Sequence, residues 1–106
     1  MAAVSRPAPL TPDELSAALS GLPLWSGDGG GIRRSIGFPG FPDAVAALVR
    51  IAFVAEQLDH HPDVDLRWRT LHLTLVTHSA GGVTALDADL ARRVDTLFPG
   101  DSPRRS

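Results

Sequence analysis

The chain has 106 residues, ten Lys or Arg against twelve Asp or Glu, and a formal net charge of −2. That is one domain's worth of chain, without the blocks of like charge that would point to nucleic acid or an anionic membrane as main partner. With no cysteine, a disulfide framework and a thiolate metal site are excluded, which suits a reducing, cytoplasmic compartment.

Residues 1–10 carry Pro7 and Pro9 and no hydrophobic period, so a flexible N-terminal arm is expected there. It lacks the apolar segment of a signal peptide, and no apolar run along the chain approaches the length of a membrane span. Thr11-Pro12-Asp13-Glu14 predicts a helix start, with Thr11 as N-cap, Pro12 in the first turn and Glu14 closing a capping box. Leu15, Ala18, Leu19 and Leu22 form its apolar stripe. Leu24-Trp25-Ser26 and Ile32–Phe38 read as two strands of a hairpin around the glycine-rich stretch 27–31.

A long helix is expected after Pro39-Gly40, with Pro42 in its first turn. Phe41, Val45, Leu48, Ala52 and Ala55 recur at helical spacing, and Leu48, Ile51, Ala55 and Leu58 widen the stripe. So wide a face suggests burial against both a sheet and a partner subunit. Pro62 disfavours helical geometry at His61, so the helix should end near Leu58 or Asp59. Val64, Leu66 and Trp68 alternate with Asp65, Arg67 and Arg69, and Leu71, Leu73 and Leu75 with His72 and Thr74. These predict two more strands joined near Arg69-Thr70, the second ending at His78. Ala80-Gly81-Gly82 breaks the pattern. Thr84 then caps a last helix with the stripe Leu86, Leu90, Val94 and Leu97, stopped by Pro99-Gly100. The order α-β-β-α-β-β-α implies an α+β domain over residues 11–99, with a tail at 100–106 and helices on one face of an antiparallel sheet.

Three of the four histidines fall at joints between these elements: His60 and His61 after the long helix, His78 after the last strand. An imidazole titrates near neutrality and can give or take a proton there. Taken singly, each has a structural explanation. A His pair can interact with a helix C-terminus, and Asp87, three residues after Thr84, is where a capping-box carboxylate belongs. Adjacent histidines diverge and seldom reach one metal ion together, and no His-x-x-x-His or Cys pair assists them. Glu56, one turn before His60, is placed to orient that ring. His72 suits a cross-strand surface role.

Together, Glu56, three residues, His60-His61-Pro62, the aromatic Trp68, Thr77-His78, Gly82 and Asp87 resemble the signature of the pterin-4a-carbinolamine dehydratases, over about Thr11 to Phe98. The resemblance implies a four-stranded antiparallel sheet with three helices on one face, assembled as a homodimer or homotetramer. It implies removal of water from 4a-hydroxytetrahydrobiopterin to give quinonoid dihydropterin, recycling the cofactor of aromatic amino acid hydroxylases, to one of which the chain would be functionally linked. On it, His60 and His78 are the acid/base pair and His61 orients substrate. Asp59 and Thr77 flank them in the substrate site, and Glu56, Pro62, Trp68 and Asp87 support. The reaction transfers no electrons and calls for no metal or redox cofactor. One departure is Val64, where animal relatives carry an aromatic residue. Some relatives act instead as interaction modules: a dimerisation cofactor of a transcription factor, and Rubisco assembly factors that have lost parts of the histidine set. The complete set here favours the enzyme.

Overall fold

A computed structural model describes residues 7–100. Its elements are α1 (Pro12–Ser20), β1 (Ser26–Asp28), β2 (Gly31–Gly37), α2 (Phe41–Leu58), β3 (Asp63–Arg67), β4 (Thr70–Leu75), a 3-10 turn at His78–Ala80 and α3 (Ala85–Leu97). The strands form one antiparallel sheet in the order β1-β2-β4-β3. The α+β order is therefore the expected one. The expected arm falls at 1–6 outside the described residues, while Leu10 at its end donates its N–H to the Val83 carbonyl at 2.8 Å and packs on the core. The expected tail beyond Gly100 also lies outside the described residues.

Alternation decides which face of the sheet is covered. Ile32, Arg34 and Ile36 of β2 stand opposite Leu75, Leu73 and Leu71 of β4, and all six are buried. The intervening Arg33, Ser35, Thr74, His72 and Thr70 occupy the other face, joined across the register by Asp63, Asp65 and Arg67 of β3. α2 buries Ala44, Ala47, Ile51 and Ala55 toward the sheet and α3. Three of these four are alanines, so the helix backbone can lie close to its neighbours. α3 buries Ala88, Leu90, Ala91 and Val94. α1 has no fully buried residue, but Leu15, Ala18 and Leu19 close one edge of the core.

Arg34 is the exception on the apolar face. It is 8% exposed, and its guanidinium donates to Asp95 Oδ1 at 2.6 Å and to the Phe98 carbonyl at 2.7 Å. Trp25 Nε1 donates to the same Asp95 oxygen at 2.9 Å. A buried cation is tolerable only with such partners, and here they tie β2 to the end of α3.

The structure corrects four local expectations. β1 is Ser26–Asp28 rather than Leu24–Ser26, because Gly27 is a strand residue: it pairs with Ile32 at φ +145°. A Cβ at Gly27 would lie 2.1 Å from the Gly31 carbonyl oxygen, so the pairing needs glycine there. β3 stops at Arg67, and Trp68 is in the turn at φ +54° and 70% exposed. β4 ends at Leu75, so His78 opens a 3-10 turn and does not inherit the strand's alternation with His72. Finally, the apolar residues of α2 divide between two sides. Phe41, Val45, Val49 and Phe53 stay 51%, 37%, 50% and 69% exposed, as a row facing away from the core.

Candidate active site

The corner that carries His60 and His61 is shaped by backbone geometry. α2 ends at Leu58, and Asp59 follows in the left-handed conformation at φ 50°, a state an aspartate enters more readily than most residues. The Asp59 N–H bonds the Glu56 carbonyl at 3.1 Å, and the His60 N–H bonds the Ala55 carbonyl at 3.0 Å. This closes the last turn in the manner of a Schellman cap and turns His60 back toward α3. Pro62 then straightens the chain into β3.

His60 Nε2 meets Asp87 Oδ1 at 2.6 Å. Asp87 is fully buried, and its other oxygen accepts from the Thr84 N–H and the Thr77 hydroxyl, both at 2.8 Å. Thr77 has one hydroxyl proton and gives it to Asp87. The 2.7 Å contact between the two threonine hydroxyls is therefore Thr84 donating to Thr77. Thr84 Oγ1 in turn accepts from the Leu86 N–H at 3.2 Å. The carboxylate thus has three donors, as a buried charge requires. Since a carboxylate only accepts, the His60 proton sits on Nε2, and Nδ1 is left as the nitrogen with a lone pair.

The same arrangement recurs twice nearby. His61 Nε2 meets Glu56 Oε1 at 3.0 Å, and His78 Nε2 meets Asp63 Oδ2 at 3.1 Å. All three signature histidines therefore have Nε2 on a carboxylate and Nδ1 clear of it. The environments differ sharply. The His60 side chain is 10% exposed, that of His61 58% and that of His78 73%. Glu56 holds His61 and not His60, as the i,i+4 spacing had suggested. The helix ends before His60, so that ring belongs to Asp87. Asp87 is at once the capping-box carboxylate of α3 and the His60 partner.

Two routes bring His78 to this corner. Thr77, its chain neighbour, reaches Asp87 through its hydroxyl, and its own ring reaches Asp63, the residue after Pro62. The site thus lies at the end of the sheet where β3 begins and β4 finishes. Asp59 is exposed at the corner. Thr77 is 5% exposed with its hydroxyl committed to Asp87, so its place is beneath the histidines. Trp68 lies five strand positions from Asp63, about 16 Å along β3, at the opposite end of the hairpin. His72 is on the open sheet face, its Nδ1 on the Ser35 hydroxyl at 2.7 Å. Asp63 was not singled out by the sequence; its only signal was an acidic residue directly after His-His-Pro. Among the described residues no three His, Asp or Glu are arranged to hold a metal ion. Two concave cavities, about 440 and 460 Å³, lie away from the histidines, one along β2 and the end of α3, the other between α1 and the β1–β2 turn.

Comparison with known proteins gives the family. The family model described as pterin 4 alpha carbinolamine dehydratase matches residues 8–97. A protein of Mycobacteroides abscessus, provisionally named as a pterin-4-alpha-carbinolamine dehydratase, is 51% identical over 87 residues, 82% of this chain and 93% of its own length. A Mycolicibacterium smegmatis protein of the same provisional name is 47% identical over 89 residues, 84% of this chain and 95% of its own. The crystal structure of a transcriptional coactivator/pterin dehydratase from Brucella melitensis superposes with a TM-score of 0.78 at 37% identity, over 83% of this chain and 96% of that one. A pterin dehydratase-like RuBisCO assembly factor of the alpha-carboxysome shares the fold, with a TM-score of 0.58 at 20% identity over 73% and 89% of the two chains. With nearly the whole described chain matched and relatives at half identity, the chain belongs to the pterin-4-alpha-carbinolamine dehydratase family.

Proposed function

We propose that the chain dehydrates 4a-hydroxytetrahydrobiopterin, or a close pterin-4a-carbinolamine, to the quinonoid dihydropterin. The observation that carries the reading is the set of three imidazoles at one corner, each with Nε2 on its own carboxylate and Nδ1 left for a ligand.

The carbinolamine has a hydroxyl on C4a and a proton on the adjacent N5. Dehydration breaks the N5–H and C4a–O bonds. The N–H electron pair becomes the second N5–C4a bond, the hydroxyl takes a proton, and water leaves. One neutral histidine receives the N5 proton at Nδ1, and one imidazolium supplies a proton from Nδ1 to the hydroxyl. No electrons pass to or from the protein. His60 and His78 take these two parts, each contributing on the order of 10²–10⁴-fold. His61 orients the pterin, with Asp59 bordering the site. Thr77 and Asp87 act from below, by fixing the His60 ring. Trp68, at the far end of the hairpin, has no part in this arrangement.

The protein works in the cytoplasm as a homodimer or homotetramer, its product returned to use by an aromatic amino acid hydroxylase. The outward row Phe41, Val45, Val49 and Phe53 supports the assembly: four apolar side chains at i,i+4 spacing are a surface that association would cover. No helix of the described residues is long and apolar enough to cross a membrane.

A second reading has its own support, since the Brucella melitensis relative is described as a coactivator as well as a dehydratase. On that reading the fold serves as an interaction module. The deciding experiment supplies 4a-hydroxytetrahydropterin, generated in situ, to the purified full chain at substoichiometric concentration and follows quinonoid dihydropterin by absorbance. The dehydratase reading expects many turnovers per protomer. A rate equal to that of buffer overturns it in favour of the interaction module.

A further inference from the structure

Asp63 has no part in the acid/base scheme above and no place in the sequence signature. It is nevertheless the residue that holds the His78 ring itself at the corner, where Thr77 ties in only the backbone beside it. It follows Pro62 directly, so its offset from His60 and His61 is set by the chain. Its Cα is in register with Thr74 on β4, four residues before His78, and its Oδ2 lies 3.1 Å from His78 Nε2.

His78 needs such a contact more than its partners do. His60 is nine-tenths buried and held by a carboxylate that itself has three donors. His78 is 73% exposed and stands on a three-residue 3-10 turn whose N-cap, Thr77, makes no side-chain capping bond. An imidazole in that position has two torsions free to visit several staggered states, only some of which aim Nδ1 at the corner. A proton carrier misplaced by about 1 Å can lose on the order of 10²-fold in rate.

We propose that Asp63 is a positioning residue for His78: its carboxylate accepts the Nε2–H and so directs Nδ1 toward the reacting atoms. The pair is too exposed to matter much to folding, since exposed ion pairs contribute little to stability. Its effect should therefore be read on the ring and on turnover while the fold stays intact. The catalytic consequence rests on the dehydratase reading; the positional one does not.

The test uses Asp63→Ala and Asp63→Asn in the full chain. An amide oxygen still accepts the Nε2–H, so Asn should rescue what Ala loses. Side-chain three-bond couplings of His78, measured by NMR, should report one χ1 state in the wild type and in Asp63→Asn, and averaging in Asp63→Ala. In the carbinolamine assay Asp63→Ala should lower kcat by roughly 10-fold with KM within about twofold, and Asp63→Asn should stay near the wild type. Added to His78→Ala, Asp63→Ala should cost nothing more, because a residue that acts through the ring has nothing left to act on. The role is overturned if His78 averages already in the wild type, or if Asp63→Ala costs the same factor with and without His78. It is also overturned if Asp63→Ala leaves kcat unchanged in an active enzyme. An inactive wild type whose His78 is still ordered by Asp63 overturns the dehydratase reading and upholds the positioning role.

Discussion

His60 Nε2 lies 2.6 Å from the fully buried Oδ1 of Asp87, and this contact fixes which nitrogen of the neutral ring carries the proton. For a capping-box carboxylate alone, Asp87→Asn is expected to be mild, because an amide can still accept a capping hydrogen bond. The structure reverses that expectation. Both Asp87 oxygens accept, and the three donors around them leave no place for an NH₂ group. With its oxygen kept on Thr84 and Thr77, the amide turns its NH₂ to His60. Nε2 then becomes an acceptor, the ring proton moves to Nδ1, and the lone pair that would take the N5 proton is lost. A folded Asp87→Asn protein should lose about 10–10³-fold in kcat, as much as removal of the His60 ring itself, as expected when a catalytic histidine is held in the wrong tautomer. The ¹⁵N shifts of the His60 ring report the tautomer directly. An unchanged tautomer with unchanged kcat would refute the argument.

What the sequence disclosed, and what it hid, follows from how local each feature is. Both capping boxes, Thr11 with Glu14 and Thr84 with Asp87, were legible because cap and partner lie within one turn. The inner face of β4 was legible because Leu71, Leu73 and Leu75 keep a strict period of two. Trp68 was misplaced because the turn before β4 carries neither Gly nor Asn at its positive φ, leaving no turn residue to read. β1 was displaced because Gly27 interrupts any apolar alternation while being the residue its pairing requires. Glu56 was matched to His60 by its spacing of one helical turn, although the helix was expected to end before that residue. Asp59 in the left-handed region ends it, and the i,i+5 partner His61 takes the contact. Asp63 and His78 are 15 residues apart and meet only once β3 and β4 have paired.

His61 and Glu56 form the second pair, both well exposed. A group that contacts the pterin equally in ground and transition states contributes to binding alone. His61→Ala should therefore raise KM by about 10-fold and leave kcat within about threefold. Glu56→Gln keeps an acceptor for the ring and should change either constant less than twofold. Steady-state kinetics on both variants separates the roles. A collapse of kcat in His61→Ala would move His61 into the proton-transfer pair.

Arg34 and Asp95 test the account of the core. Asp95→Ala removes the charge partner of a guanidinium that is 8% exposed and the acceptor of Trp25 Nε1. An uncompensated buried charge typically costs 3–5 kcal/mol. Because the Asp95 side chain is 21% exposed, water can enter, and a loss of about 3 kcal/mol is expected. Urea denaturation monitored by Trp fluorescence measures it. A loss below about 1 kcal/mol would show that Arg34 finds other partners.

The row Phe41, Val45, Val49 and Phe53 makes a prediction about assembly. Successive members are four residues apart, so the row spans about 18 Å of α2 on one side. These side chains are exposed in the single chain, so changing them should not disturb its core. The wild type should be a dimer or tetramer by light scattering at micromolar concentration. Val49→Glu with Phe53→Glu should shift it toward monomer, with the far-ultraviolet circular dichroism unchanged, because two charges would have to be desolvated at the contact. A wild-type monomer would contradict the expectation outright.

The last prediction concerns the division of labour between His60 and His78. His60 is buried on Asp87 and His78 is exposed on Asp63, so each ring is held by a carboxylate of its own, although Thr77 beside His78 also bonds Asp87. Removing one should leave the other in place. His60→Ala and His78→Ala should each lower kcat by about 10–10³-fold, because water can substitute poorly for one proton carrier while the other still works. The double variant should fall to near the uncatalysed rate. His60→Ala also leaves Asp87 short of one donor, so its stability must be measured beside its activity. The capping contacts from Thr84 and Thr77 to Asp87 remain, and the fold should persist. His78→Ala removes only an exposed ring and should leave stability within about 0.5 kcal/mol. A correctly folded double variant that dehydrates the carbinolamine at the wild-type rate would remove both histidines from the mechanism. Activity abolished by chelators and restored by zinc would make them ligands rather than proton carriers.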